Sequence, residues 1–329
     1  MSSNQTKPFK THEEQLEILK LRKMHVESEE KALHYLERVN YYRLSEYWYS
    51  FRVEENNKRL EKFKPGTDFN DVINLYEYDI QLRQVTFSAL SGLEITFRKL
   101  LGYYLAEIDP LIHSKPDKLH LSALQKSGSM TKYQQWCVYF MRDVDGYNKL
   151  SPNAKSKNNA KGKKKRRKPL EDRIKDHEGM KMAIWVVVEM MSWGTMAHLY
   201  DISPEPVRRR IALMCNMTVS QLSSLLHAFN YDRNVCAHQG RFFNASLRDL
   251  KDLKSKPLAG TQGVPSGKTY YHLLMIQYLQ KSLKVGEFSA LPNVLRAYPS
   301  ISSMPISSMG APEDWEDNKI WKEDWKKDK

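Results

Sequence analysis

The sequence predicts an all-α fold. Three observations carry that prediction. Apolar residues recur at helical spacing in several segments, helix-start signatures stand where those segments begin, and no alternating strand or hairpin pattern competes with them. With 329 residues, 41% of them hydrophobic, the chain is long and apolar enough to bury a sizeable core.

The elements follow in order. Residues 1–10 are polar and expected to fray. Thr11 with Glu14 reads as a capping box that opens a helix through Gln15, Leu16, Leu19 and Leu21. A second helix fits Ser28 to about Asn40, with Ala32, Leu33, Leu36 and Val39 at helical spacing. Tyr41, Tyr42, Tyr47, Trp48, Tyr49 and Phe51 then crowd together. Packing between the N-terminal helices and the core is the expected role. A base-stacking surface is the rival reading, kept open by Arg43 and Arg52 among these aromatics. Asn56 to Asp68, with Lys64-Pro65-Gly66, reads as a loop. Residues 69–107 read as one long helix or two passes, with an apolar stripe of Leu82, Ala89, Leu93, Phe97 and Leu101. On another face Glu94 and Arg98 form an i, i+4 ion pair in the favourable order, with Arg83 nearby. Asp109-Pro110 ends this element, and residues 118–142 hold one or two helices.

Ser151 to Lys168 is a low-complexity stretch ending in Lys163, Lys164, Lys165, Arg166, Arg167 and Lys168. Its like charges repel and it has nothing apolar to bury, so it reads as an inserted basic loop that tracks phosphates. Asp172 to Tyr200 reads as a strong helix with Met182, Trp185, Val186, Glu189, Met190 and Trp193 on its buried face. Glu189, unusual in so apolar a run, is expected to pair with a buried arginine or to face an interface. Ser203-Pro204 precedes a helix to Met214, where Arg208, Arg209 and Arg210 add local positive charge. Thr218 with Gln221 is a second capping box and opens a helix of Leu222, Leu225, Leu226 and Phe229. Residues 245–256 look helical or irregular, Pro257 to Lys268 a loop, and Tyr270 to Lys284 a last core helix. Pro299 to Pro312 reads as a linker. Trp321 and Trp325, at i, i+4 beyond Trp315, suggest a helix that docks on this chain, a second copy or a partner. The organisation expected is an N-terminal helical segment over 1–68, a helical core over 69–285 with a basic loop at about 151–170, and a linker with a Trp-containing tail over 286–329.

The net charge of +13 favours a polyanion partner, nucleic acid before an anionic membrane. Cys137, Cys215 and Cys236 are far apart and odd in number, so neither a disulfide framework nor a zinc pattern follows, and a reducing cytoplasm fits. Cys236 is expected to be a small buried side chain. The start lacks an apolar signal core, and the most apolar run, Ala183 to Met191, contains Glu189 and is too short to span a bilayer. No membrane association is expected.

The chemistry concentrates in Tyr231-Asp232-Arg233-Asn234-Val235-Cys236-Ala237-His238-Gln239-Gly240-Arg241. A guanidinium can hold phosphate oxygens bidentately as charge builds on them. An imidazole titrating near neutrality can take or give a proton. An amide can orient the imidazole or a ribose. Asn234 and His238, at i, i+4, share a helix face, whereas Arg233 and His238 lie roughly 140° apart and would flank a groove. Gly240 is a helix-stop signal, which puts His238 at a helix end. A surface arginine beside an ordinary helix-end histidine is the plain alternative for this short pattern.

Ordered segments over roughly residues 7–245 give the motif a wider setting. They are Lys7-Pro8-Phe9, Glu14-Gln15-Leu16, Arg38-Val39-Asn40-Tyr41-Tyr42-Arg43-Leu44-Ser45, Asp79-Ile80-Gln81-Leu82-Arg83, Leu93-Glu94-Ile95-Thr96-Phe97-Arg98, Trp185-Val186-Val187-Val188-Glu189, Trp193-Gly194-Thr195, and Arg233 to His238 with Arg241 and Asn244. In this order they resemble the Abi family of bacterial abortive-infection proteins (AbiD/AbiF-like) of the HEPN superfamily. The resemblance implies a HEPN-type helical bundle, a homodimer whose two motifs meet in one composite site, and a metal-independent endoribonuclease of phage defence, of the abortive-infection or toxin–antitoxin kind. In that reading Arg233, Asn234 and His238 are catalytic, and Arg83, Glu94, Arg98, Arg241 and Asn244 support them. Arg43, Arg208, Arg209, Arg210 and the 163–168 run contact RNA, and a small regulatory RNA is a further partner. The rival is a protein that holds a structured RNA without cutting it. A target of nucleotidyl transfer fits less well, because Gln239 and Gly240 follow His238 where that arrangement has a tyrosine. No cofactor is expected, and no metal, since no Asp/Glu/His cluster has ligand-like spacing in the sequence.

Overall fold

The computed structural model of the protein describes residues 8–150, 168–250, 253, 258, 260–322 and 325. The arginines and lysines at 163–167, expected to track phosphates, lie outside these. Among the described residues there are twelve α-helices, several short 3-10 turns and two small hairpins, an all-α bundle as expected.

Helices α1 (His12–Leu21), α2 (Glu29–Arg38) and α3 (Tyr41–Trp48) form the N-terminal layer. The Thr11–Glu14 capping box starts α1 with both reciprocal hydrogen bonds, and Ser28 Oγ caps α2. Tyr47, Trp48 and Phe51 are buried against the core, while Tyr42 and Tyr49 stay exposed. Tyr41, half-buried, packs edge-on to Trp48, so the expected packing role holds for four of these six aromatics.

Helix α4 (Phe69–Ala106) is a single rod of 38 residues, begun by the Asp68 side chain accepting from the Asn70 amide. It meets α3, α7 (Ile184–Val187), α8 (Trp193–Ile202), α9 (Glu205–Met214), α10 (Val219–Ala237), α11 (Thr269–Leu283) and α12 (Ala290–Arg296). Their apolar faces join in one cluster of buried residues. Helices α5 (Lys132–Leu150) and α6 (Leu170–Asp176) complete the helical set. Among the described residues no helix is long and apolar enough to cross a membrane.

The structure departs from the sequence expectations at several places. The 56–68 loop contains half of a hairpin, β1 (Arg52–Glu55) with β2 (Lys58–Phe63). Asn56 (φ 51°) and Asn57 (φ 59°) form its turn, and asparagine tolerates that left-handed backbone. A second hairpin pairs β3 (Lys126–Ser127) with β4 (Met130–Thr131).

The long helix expected over 172–200 is broken into α6, α7, α8 and 3-10 turns. Local hydrogen bonds compete with helix continuation there. The His177 ring accepts from the Gly179 amide, and Ser192 becomes the N-cap of α8 while its own N–H donates to Asp143 at 2.9 Å. Gly179 packs so closely on Phe140 that a Cβ would lie 2.9 Å from its ring. The buried face is consequently Ile184, Val187, Val188 and Met191 together with the expected Trp193, and Glu189 and Trp185 are exposed.

The stretch expected to be a linker packs instead: Ile301, Met304 and Met309 are buried. The tryptophan tail forms 3-10 turns, not a helix, and of the three docking partners it takes its own chain. Trp321 Nε1 donates to Tyr270 on α11 at 3.0 Å, and Trp325 lies edge-on to Tyr278 at 5.4 Å between centroids.

Candidate functional site at the end of helix α10

Helix α10 begins at the expected Thr218–Gln221 capping box and ends at His238. The Gly240 N–H donates to Val235 O at 2.9 Å and the Gln239 N–H to Cys236 O at 3.4 Å, a Schellman closure. The left-handed residue in it is Gln239 (φ 60°), not Gly240. Gly240 serves close approach instead, since a Cβ there would lie 3.2 Å from Val235 Cγ1. Arg43, expected to contact RNA, donates to the Gln239 carbonyl and so braces this turn from α3.

Just past the turn the chain is pinned by α4. Asp79, fully buried, accepts from the Phe243 amide at 2.6 Å, the Phe242 amide at 3.2 Å and the Tyr47 hydroxyl at 2.7 Å, and pairs with Arg83. Arg83, expected among the supporting residues, completes a clamp on the backbone that follows the motif. Asn244 sits in the left-handed region (φ 47°), and its Oδ1 accepts from Lys268 at 3.3 Å. Arg241 is half-buried between these two points.

Neighbouring residues of α10 face opposite ways. Asp232 is fully buried and bonds the His272 ring at 2.6 Å. Burial alone would lower His272, but Asp232 outweighs it and the imidazole is held above its ordinary value. Burial, then the charge of Asp232, pushes the Cys236 thiol up, which disfavours the thiolate. Arg233 points the other way. Its side chain is 34% exposed, its guanidinium lies 5.4 Å from the centre of the Phe87 ring, and its Nε is 3.8 Å from Glu94 Oε2. Glu94 also pairs with Arg98, whose Nη2 donates to Met191 O at 2.6 Å. The structure thus brings Arg233, Glu94 and Arg98 together.

A groove of about 330 Å³ opens here, lined by Tyr139, Arg142, His198, Asn230, Arg233 and Asn234 among others. His238 is exposed at the helix end, one turn beyond Asn234. The basic residues of α9 form ion pairs. Arg208 lies 2.6 Å and Arg209 3.4 Å from Glu205, and Arg210 lies 2.9 Å from Glu107. Lys168 pairs with Asp176 at 2.6 Å.

Sequence reasoning missed Tyr139, Arg142 and His198, which reach the groove from α5 and α8. It also found no metal-like cluster, yet donor atoms of His198, Asp201 and His227 lie within 4.8 Å of one another. His227 Nε2 is 2.6 Å from Asp201 Oδ2, and Ser223 Oγ donates to Asp201 Oδ1 at 2.5 Å. Burial lowers His198, and His227 adds to that. Burial would raise Asp201, but His227 holds its carboxyl below the ordinary value. The i, i+3 spacing of His198 and Asp201 was the available signal; His227 comes from another helix.

No curated protein and no solved structure matches this chain. The pattern that defines Abi-like proteins matches residues 34–244, from within α2 to the Asn244 turn that closes the site. That stretch is more than half of the chain and includes every element of the groove, so the protein belongs to the Abi-like protein family.

Proposed function

We propose that this protein is a metal-independent endoribonuclease acting in phage defence; membership of the Abi-like family supports the abortive-infection part of this reading. The observation that carries the reading is Arg233. Its guanidinium borders a groove with Asn234, is held by Glu94 without being buried by it, and stands on the helix whose end exposes His238. In the proposed reaction a ribose 2′-hydroxyl attacks the adjacent phosphorus and the 5′-oxygen leaves. His238 moves the proton, Arg233 stabilises the charge on the phosphorane oxygens, and Asn234 orients the ribose or the imidazole. Arg142 supplies a second cation and Tyr139 an exposed ring for a flanking base. One histidine serves poorly as both base and acid, so two copies related by a two-fold would share the roles in a composite site. The products carry a 2′,3′-cyclic phosphate and a 5′-hydroxyl.

The test is cleavage of a mixed RNA pool by purified protein in EDTA, beside His238→Ala. Wild-type cleavage leaving cyclic-phosphate ends, reduced by about 10² or more in the variant, is the expected result. Tight RNA binding by both proteins with cleavage by neither would replace this reading with that of a protein that holds a structured RNA.

A further inference from the structure

Outside the proposed reaction, one cluster of side chains has the composition of a metal site. His198 and Asp201 stand three residues apart on α8, and His227 faces them from α10. Their donor atoms lie within 4.8 Å of one another; His198 is exposed, and Asp201 and His227 are half-buried. We propose that His198, Asp201 and His227 bind one zinc-type divalent ion, which would tie α8 to α10 at the wall of the groove.

The donor set selects the ion. Two imidazoles and one carboxylate suit zinc and its transition-metal neighbours, whereas magnesium and calcium take oxygen ligands. Three protein donors leave a fourth tetrahedral position for solvent. Bonds of about 2.0–2.1 Å place tetrahedral donors roughly 3.3 Å apart. His227 Nε2 and Asp201 Oδ2, now 2.6 Å apart, would therefore open slightly, while the His198 ring, whose centroid is 4.9 Å from that of His227, would turn inward. Both are side-chain rotations on fixed helices.

The surroundings suit that role. Ser223 Oγ donates to Asp201 Oδ1, which fixes the carboxylate and leaves Oδ2 turned towards the imidazoles. This is the outer-shell support that metal-ligating carboxylates usually have. Tyr139 stacks on the His198 ring with centroids 5.8 Å apart and planes 22° from parallel. The sequence hides the cluster because the third donor arrives from a helix 26 residues further on.

The site is independent of the cleavage reading, so metal alone is the probe. Tag-free full-length protein is titrated with zinc against a chromophoric chelator, with millimolar magnesium present. One equivalent held by the wild type and by His238→Ala is expected. Affinity should fall by more than about tenfold in His198→Ala and His227→Ala, and by about tenfold in Ser223→Ala. Zinc at a hundredfold excess over its Kd should raise the wild-type Tm by about 5 °C, and that of folded His198→Ala by much less. His198 is exposed, so this variant keeps the fold, as circular dichroism would verify. Less than one equivalent in the wild type, or an equivalent that survives both histidine substitutions, overturns the proposal.

Discussion

Helix α4 carries two acid–base pairs at the same i, i+4 spacing, and they do different work. Asp79–Arg83 is sealed in the core, with side chains 0% and 3% exposed, and grips the backbone that follows the motif. Glu94–Arg98, at 9% and 18%, reaches the edge of the groove and steadies Arg233. The sequence treats the two alike. The difference lies in what packs over them: Tyr47 and the 242–243 turn close over the first, while the second is left beside an open groove. Burial makes the first pair a structural clamp, and partial exposure leaves the second free to hold a cation without neutralising it.

The largest effect that would sharpen this comparison is in stability. Asp79→Ala leaves Arg83 and two backbone amides buried without their acceptor, and should lower unfolding stability by about 3–5 kcal/mol. Glu94→Gln keeps the shape of its side chain and should lose only about 1–2 kcal/mol. Paired urea denaturations measure both, and equal losses would break the contrast.

A smaller effect, of opposite sign, is expected at the turn that closes α10. Gln239 holds a left-handed backbone that a glycine adopts freely, so Gln239→Gly should stabilise by about 0.5 kcal/mol after the extra entropy of the unfolded chain is counted. A destabilised variant would mean that the Gln239 side chain contributes more than its backbone strain removes.

The smallest effect is in pH, and it tests a third buried pair, Asp232–His272. The folded-state value of His272 is raised, so its contribution is complete below the unfolded value of about 6.5 and is lost as pH rises through the higher folded value. The urea midpoint should therefore fall as pH rises above about 6.5, and less so in Asp232→Asn. A wild-type midpoint that stays level over this window would show that His272 is not charged in the fold.

Much of the architecture was legible because its signals are local. Both capping boxes, the run of α4 and the end of α10 depend on residues within a few positions of one another. The hairpin at Asn56–Asn57 was missed although its turn residues are favourable, because its strands are short and mostly exposed and so lack an apolar alternation. The break at Ser192 escaped notice because Asp143, which takes the Ser192 N–H, is 49 residues away.

By itself the sequence determined the all-α class, most of the helices and the arginine, amide and histidine at the end of α10, since these follow from periodicity, caps and spacing. The tertiary structure alone decided which ion pair became a clamp and which faces the groove. It also decided that Arg43 braces a turn and that the tryptophan tail docks on α11. Those outcomes depend on burial and on partners distant in the chain, where Coulomb energy and desolvation change with every layer of packing, and no local pattern encodes them.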